Sequence, residues 1–179
     1  VIPSTAWPDI YPPARVGRIR LVNTLTGYVP PRLLRSDQPP AANRPIDIGY
    51  RGRVYPAWHG RAGEERGTIA SRVRSDARAC GLRTDIEVTE GSRLYGRAWD
   101  RFMASCKAML GTESDVSVID FTGEIAVATE AYQREHPEAT VAEIRARFFG
   151  DVEDRIGIAQ ISPRVFEAIS HRTLLIMYE

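Results

Sequence analysis

Residues 161–179 read ISPRVFEAISHRTLLIMYE, and the order of signals in this run sets the fold class. Ser162 is a good N-cap and Pro163 suits the first helical position, where a missing N–H costs nothing. Val165, Phe166 and Ile169 then form a short apolar stripe, so the spacing predicts a helix that stops at His171-Arg172. Thr173 to Tyr178 follows as a mostly apolar run of strand length, read as a buried strand. Helix, tight connection and buried strand make up one step of an α/β sheet.

Upstream, the same alternation repeats. Ile46 to Tyr50 is a short apolar strand, Glu64 to Ala79 a helix ending at Gly81, and Leu82 to Val88 a strand. Tyr95 to Lys107 is a helix with Trp99, Phe102, Met103 and Cys106 on its buried stripe, and Ala108 to Gly111 is the next strand. A stretch of about 115–157 interrupts the pattern. It opens with the apolar Val116 to Phe121 and holds two helices, Gly123 to His136 and Thr140 to Phe149, the second announced by the capping box Thr140/Glu143. The expected class is therefore α/β: a Rossmann-like parallel sheet flanked by helices, over residues 45–179, with a helical insertion. Residues 1–44 are broken up by proline, with only Arg18 to Val22 reading as a strand.

Composition narrows the function classes. The chain has 179 residues, 43% hydrophobic and 26% charged, enough for one well-packed domain. A net charge of +1 argues against a general nucleic-acid binder. No apolar run reaches membrane-spanning length. Cys80 and Cys106 are too far apart for a metal knuckle or redox pair, which fits a reduced, cytoplasmic protein. There is no Gly-x-Gly-x-x-Gly, P-loop or Gly-x-Ser-x-Gly motif, so dinucleotide oxidoreductase, NTPase and α/β-hydrolase readings each lack their signature.

Two places carry candidate chemistry. Arg164, Glu167 and His171 share one face of the last helix at spacings of three and four. The helix N-terminus at Ser162 would suit a phosphate, and the Glu167 carboxylate, one turn in, could accept hydrogen bonds from ribose hydroxyls. A plain surface pair of Arg164 and Glu167 is the competing reading, and spacing alone favours it. The second place is Arg51-Gly52-Arg53, at the carboxyl end of the first strand, the edge where open α/β sheets bind ligands. Glycine permits close backbone approach there, and the flanking guanidiniums could grip a diphosphate; an exposed turn is the ordinary alternative. Glu113, in the loop after the third strand, is a further carboxylate to consider.

The blocks RPIDIGYRGR (44–53), RLYGRAWDRFMASCKAMLGTES (93–114) and SPRVFEA followed by RTLLIMYE (162–179) together resemble the donor domain of GT-B glycosyltransferases, the group similar to spore-maturation-type members. The resemblance spans most of residues 44–179 and implies a nucleotide-diphosphate sugar donor, with Glu167 on the ribose, Ser162 and Arg164 near the phosphates, and Arg51 or Arg53 neutralising the leaving diphosphate. It implies metal-independent transfer and an acceptor that is a glycan, lipid or protein. On this reading residues 1–44 are the end of a missing N-terminal, acceptor-binding domain plus the interdomain linker, with a Pro-rich segment wrapping this same domain as the alternative, and the fragment alone is inactive. One departure stands out: retaining members of the family-4 kind place two glutamates seven residues apart, whereas Glu113 and Glu167 are separated by the insertion. That leaves any catalytic role for Glu113 weak. The alternative is a non-catalytic Rossmann-like binding or assembly module in a spore-coat or surface-polysaccharide system.

Overall fold

The computed structural model describes residues 10–22, 24–29, 31–34, 37–114, 116–156 and 160–177. Four strands, β1 (Ile46–Arg51), β2 (Thr84–Glu87), β3 (Cys106–Leu110) and β4 (Leu174–Ile176), form one sheet. The order is β2-β1-β3-β4 and every neighbouring pair is parallel. The principal helices are α1 (Gly60–Ala79), α2 (Gly96–Ser105), α3 (Glu124–Glu135), α4 (Val141–Phe148) and α5 (Pro163–Ser170). This is the Rossmann-like α/β architecture that the alternation predicts.

Chain direction explains which helix covers which face. From β1 the chain steps outward to β2 through α1, then returns past β1 to β3 through α2 and continues to β4 through α5. Crossovers of one hand that reverse direction must lie on opposite faces of the sheet. Accordingly Ile69, Ala70 and Ala77 of α1 pack with Ile48, Tyr50, Ile86 and Leu110, whereas Phe102 and Met103 of α2 and Ala168 of α5 pack with Cys106 and Met109.

The chain divides into two compact units. One comprises the described parts of 25–54, 66–114 and 161–179, and contains the whole sheet. The other comprises those of 1–24, 55–65 and 115–160, so the first turn of α1 falls in it and the rest of that helix in the sheet unit. The second unit has its own small core of Val118, Ile144 and Phe149, with Trp58, Ile125 and Tyr132 against it. Local chemistry delimits its helices. The Asp120 carboxylate accepts from the Gly123 and Ala126 amides at the start of α3. Thr140 and Glu143 form the anticipated capping box at the start of α4, each accepting from the other's backbone amide. At the head of α1 the Arg61 amide donates to Glu153 Oε1 at 2.7 Å and the Ala62 amide to Ser117 Oγ at 3.0 Å, caps supplied from more than fifty residues away.

Several boundaries differ from those the pattern predicts. Arg18 to Val22 is irregular: no strand pairs with it among the described residues. Helix α1 starts at Gly60 rather than Glu64, because the caps from Ser117 and Glu153 extend it backward, and α2 gives way at Ser105 to a β3 that begins at Cys106. The apolar Val116 to Phe121 forms no strand; Val118 packs into the helical core instead. Residues 115, 157 and 178, at the limits of the predicted insertion and last strand, lie outside the described residues.

A buried arginine ties together the amino ends of the strands. Arg44, 2% exposed, donates from Nη1 to the Cys106 carbonyl and Thr173 Oγ1, both at 2.8 Å, from Nη2 to the His171 carbonyl at 2.8 Å, and from Nε to the Pro39 carbonyl at 3.0 Å. One rigid fork thus joins the entrances of β1, β3 and β4.

Nearby, Asp47 accepts from the Arg83 amide at 2.8 Å and from Arg83 Nε at 3.2 Å, and its other oxygen meets Lys107 Nζ at 2.6 Å. Hydrogen bonds from Arg83, then from Lys107, hold this carboxyl far below the usual aspartate range. A group whose folded pKa is depressed adds stability above its unfolded value, about 3.9, and loses it as pH falls through the folded value. The unfolding midpoint should therefore drop as pH is lowered below about 4. In Asp47→Asn that drop should be shallower, and an unchanged acid limb in the variant would show that the cluster contributes nothing to acid sensitivity.

Candidate functional site

The order β2-β1-β3-β4 reverses between β1 and β3, and the carboxyl ends of that central pair form the topological switch point. Helix α5 brings side chains to this place. Its entry follows the sequence closely: Ser162 Oγ accepts from the Arg164 amide at 3.3 Å, Pro163 occupies the first turn, and the Val165 amide donates to the Ser162 carbonyl. The helix closes at its other end with Arg172 in the left-handed region at φ 52°. There the Thr173 amide returns to the Ala168 carbonyl and the Arg172 amide to that of Ile169. This is a Schellman closure with arginine where glycine is usual.

Arg164 reaches across the sheet end. Its Nη1 donates to the Leu110 carbonyl at 3.1 Å and its Nη2 to the Arg51 carbonyl at 2.6 Å, with the guanidinium 5.0 Å from the Tyr50 ring centre and 5.6 Å from that of Trp99. Burial lowers its pKa from the ordinary arginine value. One turn further along α5, Glu167 is half-buried, and its carboxylate lies in electrostatic range of both Arg164 and His171. His171 is almost wholly enclosed. Its Nε2 is 3.7 Å from Asp100 Oδ1, its Nδ1 has no hydrogen-bond partner, and burial lowers its pKa against the pull of Asp100.

The β1 segment is arranged differently from its sequence reading. The Arg51 guanidinium lies over the Phe102 ring at 4.2 Å and donates to Asp85 Oδ2 at 2.9 Å and to the Asp85 carbonyl at 3.1 Å, so its charge is matched inside the sheet unit. Gly52 donates its amide to the Glu87 carbonyl, and a Cβ on it would run into the Tyr50 ring, the close approach that requires glycine. Arg53 is exposed. Glu113 is exposed in the loop after β3, and its carbonyl accepts from Arg66 Nη2 at 3.2 Å.

The structure thus gathers Ser162, Arg164 and Glu167 on one helix and lays Arg164 on the backbone of Arg51-Gly52. It does not aim the Arg51 side chain at the switch point. Nor does it leave the first α5 amides open for an anion: Pro163 has no N–H, and the next two amides bond to Ser162. Tyr50 and Trp99, which flank Arg164, carried no signal in the sequence beyond their place on core stripes. Among the described residues no group of three or more His, Cys, Asp or Glu side chains could hold a metal ion, and no helix is long and apolar enough to cross a membrane. Both cysteines are free, Cys80 exposed and Cys106 buried, with burial pushing the Cys106 thiol up to about 11. No protein-family model, curated protein or solved structure matches the chain.

Proposed function

We propose that the chain is the donor-binding part of a GT-B-type glycosyltransferase, which holds a nucleotide-diphosphate sugar for metal-independent transfer to a glycan, lipid or protein acceptor. Two things support this: the three sequence blocks that resemble such donor domains, and the placement of Arg164 by α5 at the switch point between β1 and β3, with the Glu167 carboxylate in electrostatic range of it. The second is the observation that carries the reading. Ligands of open α/β sheets bind outside this edge, and a carboxylate one turn inside the helix can accept two ribose hydroxyls. In this assignment Glu167 is the ribose ligand, and Arg51 or Arg53, at the end of β1, is the cation for the diphosphate. Arg51 could take this role only by leaving Asp85.

A second reading has its own observation. The guanidiniums of Arg51 and Arg164 are both engaged with protein acceptors, which is what a Rossmann-like binding or assembly module without transferase activity would show.

Thermal-shift titration with uridine, guanosine, adenosine and thymidine diphosphates separates the two. A ligand at one hundred times its dissociation constant adds about 2.7 kcal/mol to the folded state, a shift of about 5–10 °C in a domain of this size. A base-selective rise that is lost in Glu167→Ala and weakened in Arg53→Ala is expected for a donor site. A folded chain that shifts with none of the four would favour the second reading.

A further inference from the structure

The ladder between β1 and β3 stops before either strand does. Its last paired residues are Gly49 and Met109; beyond them Tyr50 and Arg51 pair only with Ile86 and Glu87 of β2, and Leu110 only with Ile176 of β4. The β1–β3 pairing thus ends one residue short of the end of β3, and the carbonyls of Arg51 and Leu110 lie on opposite sides of the β1–β3 boundary at the switch point. Arg164 donates to both, one terminal nitrogen to each.

We propose that Arg164 is a positioning residue, a strut that sets how far β1 and β3 separate at the switch point and so fixes the floor on which Glu167 stands, rather than a ligand for phosphate. The guanidinium fits this task because its two terminal nitrogens are a fixed distance apart and point the same way, so one group spans two acceptors. The rings of Tyr50 and Trp99 restrict its swing, and Ser162 caps the amide of the same residue, which holds the helix turn from which the side chain springs. A lysine could reach one carbonyl and would leave the other without a partner.

Hydrogen exchange at named amides tests this without a ligand. The Gly52 amide bonds to Glu87 on one side of this boundary, and the Gly111 amide to Ile176 on the other. In both Arg164→Gln and Arg164→Lys these two amides should exchange about 10-fold faster or more, while those of Asp47 and Ile48, at the far end of β1, keep their wild-type rates. Equal acceleration at both ends, which reports only global destabilisation, would overturn the proposal, as would no change at Gly52 and Gly111.

A binding arm rests on the nucleotide reading above. A nucleoside and its diphosphate should weaken by the same factor in Arg164→Gln at a temperature where the variant is folded. Loss confined to the diphosphate would mean a direct phosphate contact and sink the strut. If wild-type protein binds no nucleotide, the donor-site reading fails alone, and the exchange rates decide the role of Arg164 by themselves.

Discussion

Arg44→Ala should lower the unfolding free energy by about 3–5 kcal/mol, a large part of the margin by which a domain of this size is stable. Its buried partners, the Cys106 and His171 carbonyls and the Thr173 hydroxyl, lie where the chain enters the sheet, and truncation would leave the two carbonyls with only long contacts to the Thr173 hydroxyl, at 3.5 and 3.4 Å. Each stranded acceptor costs about 1–3 kcal/mol, partly recovered if water enters the space vacated. Arg44→Lys should recover only part of the loss, because an ammonium cannot reproduce the fork. Denaturant unfolding is the measurement: the midpoint should fall with an unchanged slope. A loss below about 1 kcal/mol in Arg44→Ala would mean that the amino ends are held by the strand ladders alone.

Gly49→Val should be nearly as damaging, for a steric reason. Side chains of the neighbouring strand β3 and of α2 fill the space over Gly49, so that a Cβ would overlap the Cys106 sulfur and come within 2.9 Å of Met109 Sδ and 3.0 Å of Phe102 Cζ. All three are buried and packed in one cluster, so the three side chains would have to shift together. Overpacking of this kind costs about 1–3 kcal/mol for a single methyl, and the extra methyls of valine place the expectation at or above the upper end. Gly91→Ala is the matched control: nothing lies within 4 Å of a Cβ there, and the change should be neutral within about 0.5 kcal/mol. If both variants unfold at the wild-type midpoint, the side-chain packing over Gly49 is not a constraint on this fold.

These two positions also show where reading the chain stops. Gly49 sits inside an apolar run and is indistinguishable from any glycine in a strand until the helix above it is placed. Arg44 belongs to a residue type that is almost never fully buried without partners, and its partners lie five, sixty-two and about 130 residues away. Arg164 and Glu167 were legible as a shared helix face because a spacing of three is a local property. The direction of the Arg164 side chain was not, because its acceptors, the Arg51 and Leu110 carbonyls, belong to two other strands. Arg51 looked available for a diphosphate for the same reason: Asp85, which takes its charge, comes from a neighbouring strand thirty-four residues on.

What the sequence determined by itself is whatever closes within a few residues. Ser162 with Pro163 starts α5, Thr140 with Glu143 starts α4, and the run of apolar periods makes an α/β alternation that short crossovers turn into a parallel sheet. Only the tertiary structure decided the strand order, the early end of the central pairing, the capping of α1 by Ser117 and Glu153, and which guanidiniums are spent on backbone carbonyls. The physical reason is range. Capping and periodicity act over one or two turns of chain, whereas a buried arginine finds its acceptors only after distant segments have packed, and its partners are chosen by that packing and not by its neighbours in sequence.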